Sequence, residues 1–247
     1  MVCASQTDRR VGIPPNQDKA AFVQATFARI AHHYDLINRL MTLGRDQTWR
    51  RVAAKLAALP PGALAIDVAV GTADLAMALA KQAPTANIIG GDFSLPMMAL
   101  GQRKVEAAGL ADRIGFVGSD ALDLPFLDGT FDCAISGFAL RNVASIPQAL
   151  AEMRRVVAPG GRVVLLELAR PTLPVFRWAF WLYFHRLVPL IGGWISGQPE
   201  AYRYLPESLA RFLSPEELKT LMEETGLQEV SYRLLALGAA AVHVGIS

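Results

Sequence analysis

Four short segments of this chain carry residue types that can hold a nucleoside. They are Ala65–Asp74 (AIDVAVGTAD), Gly91-Asp92, Gly118–Phe126 (GSDALDLPF) around Asp120-Ala121, and Pro159-Gly160-Gly161. In the first, an apolar run ends in a turn of small residues; in the second and third, apolar runs end in a carboxylate. Small residues let a backbone approach a ligand closely, and Gly71 can also take a positive φ. Asp92 follows Gly71 by twenty-one residues, the separation at which a strand-end carboxylate of a dinucleotide fold accepts both ribose hydroxyls. Asp120, after the next strand, can accept from an adenine amino group.

Asp74 opens a helix whose first N–H groups point at the same place. For Thr72 and Asp74, capping that helix is a competing and compatible role. Asp67 is a polar residue near the end of an apolar strand, between Ile66 and Val68, which face the core. Phe93 beside Asp92 and Gly137 at the end of a later strand complete the expected cofactor set: Asp67, Gly71, Thr72, Asp74, Asp92, Phe93, Asp120, Ala121 and Gly137. A nicotinamide dinucleotide suits the pattern less well than S-adenosylmethionine. A pyrophosphate requires closer backbone approach than this glycine-poor turn offers.

These residues must be positioned by strands alternating with helices. Strand-like runs fall at Leu64–Ala69, Asn87–Gly91, Ile114–Val117, Phe131–Ser136 and Arg162–Leu168, with helical stretches at Asp74–Gln82, Leu95–Ala108 and Ile146–Val157. That alternation implies an α/β fold with a parallel sheet covered on both faces. Ser94 is placed as an N-cap with Pro96 in the first turn. Ser214-Pro215-Glu216-Glu217 has capping-box spacing and Gly226 suits the far end. Val230–Leu235 and Ala240–Ile246 read as two final strands. Upstream, helices are expected from Lys19 to Tyr34 and from Asp46 to Leu59, covering the ligand edge. Residues 1–17 are expected to be a disordered tail, and 18–247 one domain with N-terminal helices (18–60) and an insert (170–212).

Composition excludes several classes. A net charge of +2 without a basic stripe argues against a nucleic-acid partner. Two cysteines make neither a disulfide framework nor a metal cluster, and Cys133 reads as a buried small hydrophobe. The first residues, MVCASQTDRR, lack the apolar stretch of a signal peptide, so a cytoplasmic protein is expected. The apolar stretch Val175–Ile195 is broken by Arg177, His185, Arg186, Pro189 and two glycines, short of the ~18–20 uninterrupted residues of a spanning helix. Its aromatics Trp178, Phe180, Trp181, Tyr183 and Phe184 read either as pocket lining or a bilayer contact, or as a helix covering the sheet.

The chain resembles the ubiquinone/menaquinone biosynthesis C-methyltransferases, class I S-adenosylmethionine enzymes, from Phe27 to the C-terminus. The resemblance is carried by Tyr34-Asp35-Leu36-Ile37-Asn38 with Trp49, by AIDVAVGTADLA, GDFSLPMM and GSDALDLPF, and by FALRNV (Phe138–Val143), RVVAPGGRVVLLE (Arg155–Glu167) and YRYLPES (Tyr202–Ser208). It implies a Rossmann-like sheet of seven strands with the last antiparallel, and places Thr72, Asp92, Asp120 and Ala121 at cofactor-holding positions. It also implies a reduced, lipophilic quinol as acceptor, peripheral contact with the inner face of the membrane, and a homodimer as one assembly. The chain departs from the family at Val70 and Ala73, where glycines are usual, at Gly137 (serine), Ala139 (glycine), Asp46 (histidine), Ala158 (lysine) and Ala169 (serine). Ala73 is compatible with the pattern if it is already helical. Val70 restricts φ and occupies space.

Methyl transfer from a sulfonium is an in-line displacement that needs an aligned, dry and nucleophilic acceptor. For a hydroquinol ring, nucleophilicity at carbon comes from deprotonating a hydroxyl of pKa ~10. Arg141 and Asn142, just past the fourth strand, are the expected acceptor-side residues, with Tyr34 and Asp35 closing from the N-terminal helices. Arg141 can stabilise a phenolate or orient a water, or else pair with a carboxylate such as Asp35. His185 is a candidate base, though a lone His among aromatics is more often structural. No metal-ligand spacing is present. Two rival readings are a methyltransferase of another lipophilic small molecule and a non-catalytic protein that kept the fold, for which Val70 is the best support.

Overall fold

The computed structural model describes residues 16–171 and 208–247, with Leu182, Tyr183 and Arg186 between them. The expectations for residues 1–15, for most of the aromatic insert (including Trp178, Phe180, Trp181, Phe184 and His185) and for Tyr202–Glu207 lie outside the described residues.

Alternating apolar segments fold into five parallel strands with intervening helices. Two helices lead, α1 (Asn16–Met41) and α2 (Asp46–Ala57). The order continues β1 (Leu64–Val68), α3 (Asp74–Gln82), β2 (Asn87–Asp92), α4 (Leu95–Ala107), β3 (Ile114–Gly118), β4 (Phe131–Gly137), a 3-10 turn at Leu140–Asn142, α5 (Ile146–Arg155) and β5 (Val157–Leu168). After the insert come α6 (Pro215–Glu224), β6 (Gln228–Leu235) and β7 (Ala240–Ile246). The sheet order is β3-β2-β1-β4-β5-β7-β6, and β7 runs antiparallel to both of its neighbours. This is the Rossmann-like seven-stranded sheet that the resemblance implied.

The middle strands are apolar on both faces because helices cover both. Ala65, Cys133, Ile135, Val164 and Leu166 pack on one side with α2 and α3. Ile66, Ala134, Val163 and Leu165 pack on the other with α5 and α6. Cys133 is fully buried, and burial pushes its thiol up to about 12, so it is inert at neutral pH. The order reverses between β1 and β4, and a cleft opens at the carboxyl ends of such strands.

Three local expectations change. Helix α1 begins at Asn16, so residues 16 and 17 of the expected disordered tail are helical, and it continues seven residues past Tyr34, to Met41. β5 begins at Val157, five residues before the expected Arg162, because Phe131 pairs with Val157 across an irregularity in register. Ser94 occupies the N-cap position of α4, yet its hydroxyl makes no cap; its backbone N–H donates to Asp92 Oδ1 at 2.8 Å instead. The Ser214 capping box with Glu217 is present as expected.

Candidate active site

The turn after β1 is held from the neighbouring strand. Asp92, at the end of β2, accepts the Gly71 N–H on Oδ2 and the Ser94 N–H on Oδ1, both at 2.8 Å. Burial raises the Asp92 carboxyl above the usual range, and those backbone N–H groups oppose the rise. A carboxylate has about four lone-pair positions, so Asp92 keeps acceptor capacity toward the cleft.

Ala69, Gly71 and Ala73 all have positive φ, at 60°, 54° and 64°. Ala73 is therefore left-handed, so the helical conformation under which alanine would replace glycine without strain is not the one adopted. The left-handed conformation costs an L-residue roughly 1–2 kcal/mol. Val70 keeps an ordinary φ and does not face the cleft. Its side chain lies buried in the core over β2, where a Cβ on Gly90 would come within 2.7 Å of Val70 Cγ2. Gly90 thus makes room for Val70, and the loop is not closed by it.

The cleft takes in about 800 Å³ of space, counting the part open to solvent. Of the expected cofactor residues, Gly71, Asp92, Phe93, Asp120, Ala121 and Gly137 line it; Asp67, Thr72 and Asp74 do not. Asp120 is fixed by accepting the Leu122 N–H at 2.9 Å. Asp67 lies fully buried, with no partner for Oδ2 among the described residues. Burial pushes its carboxyl up to about 7, against the field of Arg50.

Thr72 and Asp74 belong to a cluster behind the turn. Thr72 Oγ1 donates to Asp35 Oδ1 at 2.6 Å, and Lys104 Nζ, on α4, donates to Asp35 Oδ2 at 2.6 Å and to Asp74 Oδ1. Gln47 Nε2, on α2, donates to Asp74 Oδ2 at 3.0 Å and to Asp46 Oδ2 at 3.1 Å. Burial would raise the Asp74 carboxyl, but Arg50, Lys104 and the Lys104 and Gln47 hydrogen bonds together hold it below its ordinary value. Asp35 therefore ties α1 to the turn and does not reach the cleft.

On the acceptor side, Tyr34 and Asn142 line the cleft, with Phe138, Ala139, Val143 and Ala144. Arg141 does not. Its guanidinium is turned back to Glu167, at the end of β5, with Nη1 3.2 Å from Oε2, and both side chains are buried. Its carboxylate partner is thus Glu167 and not Asp35. Glu167 Oε1 also accepts the Leu140 N–H at 2.7 Å. Burial raises the Glu167 carboxyl and Arg141 opposes that rise. Phe138 sits at φ 62°, an uncommon conformation for an aromatic residue. The turn leaves Asn142 Nδ2 near the Phe138 carbonyl, at 3.4 Å, and Asn142 Oδ1 without a partner among the described residues.

Sequence reasoning missed Glu167, Lys104 and the wall residues Val23, Phe27, Met97 and Ser119. A glutamate closing the apolar run RVVLLEL was a visible signal, since a buried charge requires a partner. Lys104 gave none beyond a place on an amphipathic helix.

Residues 15–247 match the ubiE/COQ5 methyltransferase family. Among curated proteins, the chain is 47% identical to a demethylmenaquinone methyltransferase of Roseiflexus castenholzii, covering 95% of this chain and 97% of that one. It is 48% identical to the demethylmenaquinone methyltransferase of Thermus thermophilus (89% and 98% covered). It is 40% identical to the ubiquinone/menaquinone biosynthesis C-methyltransferase UbiE of Geobacter sulfurreducens (96% and 93%). Among solved structures, a SAM-dependent methyltransferase from Aquifex aeolicus has the same fold, with a TM-score of 0.61 at 18% identity over 86% of this chain and 97% of that one. The family match over residues 15–247 and relatives at 40–48% identity fix the assignment: the chain belongs to the ubiE/COQ5 methyltransferase family.

Proposed function

We propose that this methyltransferase transfers the methyl group of S-adenosylmethionine to a ring carbon of a reduced, prenylated quinone, a demethylmenaquinol or a ubiquinol precursor. The names of its relatives support that acceptor class. The observation that carries the reading is the mixed lining of the cleft. It joins the carboxylates of Asp92 and Asp120 to apolar Val23, Phe27 and Phe138, with Tyr34 and Asn142.

The residues fit the cofactor. Asp92 has lone pairs for the two ribose hydroxyls, Asp120 and Ala121 face the adenine, and Phe93, Gly71 and Gly137 give close approach. Thr72, Asp74 and Asp67 act from behind the turn and hold its shape. When bound, S-adenosylmethionine supplies a methyl group activated by a sulfonium. The chain's part is to orient the ring, exclude water and favour an ionised ring hydroxyl. Asn142 Oδ1, an acceptor only, suits a ring O–H. Tyr34, Phe27 and Val23 on α1 cover the cleft and keep it dry. Arg141 pairs with Glu167, which favours a part as a strut for the turn over a part as the phenolate's counter-charge. The binding-protein reading loses its support, since Val70 is accommodated by Gly90. A prenylated acceptor is lipophilic, so it is met at a bilayer surface by peripheral contact; no helix among the described residues is long and apolar enough to cross a membrane.

Calorimetric titration with S-adenosylhomocysteine tests the cofactor site. Asp92→Ala is expected to weaken binding at least tenfold, about 1.4 kcal/mol. Methylation of short-chain demethylmenaquinol and ubiquinol precursors in parallel then reads the ring. Turnover of neither, with cofactor binding intact, would point to another lipophilic acceptor.

A further inference from the structure

Ionising the acceptor hydroxyl calls for a positive charge at the acceptor end of the cleft. Among the described residues, three cations pack against residues that line the cleft or hold its turns, and each already faces a carboxylate. Arg141 meets Glu167, Lys104 meets Asp35 and Asp74, and Arg50 lies 3.8 Å from Asp46 with its guanidinium over the Phe138 ring. Lys19 differs. Its Nζ donates to the carbonyl oxygens of Arg141, at 3.2 Å, and Val143, at 2.6 Å, and to no carboxylate among the described residues.

Those two carbonyls flank Asn142, which lines the cleft. Lys19 also precedes Val23 by one helical turn and Phe27 by two, so it continues the face of α1 that covers the cleft. An ammonium has three N–H bonds; the carbonyls take two, and the third remains for a ligand beside Asn142. The side chain is half-buried, where a Coulomb interaction is screened less than in water. Burial lowers its pKa from the ordinary lysine value, and an oxyanion alongside would offset that penalty.

We propose that Lys19 is a catalytic residue, whose ammonium binds the acceptor's ring oxygen at the cleft mouth beside Asn142 and holds it as the oxyanion. The proposal rests on the quinol reading above. The hydroxyl proton passes to solvent. The ring carbon takes the methyl group while the carbon–sulfur bonding pair stays on sulfur. The proton displaced from that carbon leaves to solvent and the ring regains its hydroxyl, so one proton is released per turnover. The ionisable groups lining the same cleft are Tyr34, on α1, and Asp92 and Asp120 on the nucleoside wall. None of these is a cation, and the Arg141 guanidinium behind the turn is balanced by Glu167.

The test uses a prenylated 1-naphthol, which cannot be oxidised to a quinone as readily as a quinol and whose ionisation is read by absorbance. It is titrated with pH when bound to the full chain saturated with S-adenosylhomocysteine. The wild-type protein is expected to lower the naphthol's ionisation midpoint by at least about one pH unit relative to Lys19→Met, the shift typical of an opposite charge at contact. Lys19→Arg should restore most of it. The acid limb of the methylation rate should move to higher pH in Lys19→Met, with S-adenosylhomocysteine affinity within twofold of wild type. Equal midpoints in wild type and Lys19→Met would overturn the proposal and leave Lys19 as a clamp on α1. Failure of the naphthol to bind wild type would overturn the acceptor reading and this proposal together.

Discussion

The turns after β1 and β4 are built on one plan and differ in what they do with it. Both leave neighbouring parallel strands, and both enter through a left-handed non-glycine residue, Ala69 in one and Phe138 in the other. Each is pinned by a carboxylate at the end of the next strand, which accepts a turn N–H: Asp92 from Gly71 at 2.8 Å, Glu167 from Leu140 at 2.7 Å. Asp92 keeps an edge on the cleft, while Glu167 is sealed under its turn with Arg141. The same device therefore yields a carboxylate open to the cleft in one place and a buried strut in the other. The deciding variable is whether a cation fills the carboxylate's open side.

The sharpest way to break this comparison is Glu167→Gln. Glutamine still accepts the Leu140 N–H but leaves the Arg141 charge buried and uncompensated, at an expected cost of about 3 kcal/mol. Urea denaturation reads it. Replacing both partners, as Arg141→Leu with Glu167→Met, should recover more than half of that loss. A loss in the double variant as large as in the single one would mean that the Leu140 hydrogen bond, not the pair, holds the turn. The β1 turn answers differently to Asp92→Ala, which should cost cofactor affinity as well as about 1 kcal/mol of stability, because the Gly71 and Ser94 N–H groups lose their acceptor.

Smaller effects separate the supports behind the first turn. Lys104→Met leaves Asp35 and Asp74 without their shared cation. The cluster is part-exposed, so about 1 kcal/mol of stability is expected to be lost, together with faster hydrogen exchange around Asp35 on α1. Unchanged exchange there would show that α1 is held by its apolar face alone. Of the same size and opposite sign is Ala73→Gly, which relieves a left-handed alanine and should raise stability by about 1 kcal/mol without weakening S-adenosylhomocysteine binding.

The nucleoside wall was legible because its parts are local. Gly71, Asp92, Asp120 and Ala121 each sit at or just past the end of an apolar run, and parallel strands bring such ends to one edge. The acceptor side was half legible. Asn142 and Tyr34 line the cleft as expected, but Arg141 and Asp35, their sequence neighbours, point elsewhere. Adjacent residues on a turn or helix face different directions, and a sequence motif gives no rule for which one turns inward. Val70 was misread for a related reason. Its space is supplied by Gly90, twenty residues away in sequence and on the next strand.

By itself the sequence determined the α/β alternation, the parallel order of strand ends and the carboxylates set on them, since hydrophobic periodicity and turn chemistry act over a few residues. Only the tertiary structure decided which charges cancel. Lys104 meets Asp35 across sixty-nine residues, Glu167 meets Arg141 between strand and turn, and Lys19 reaches the Arg141 and Val143 carbonyls across more than a hundred. Whether a cation is balanced depends on what the packed helices bring within a few ångströms, and Coulomb interaction follows distance in space, not separation along the chain.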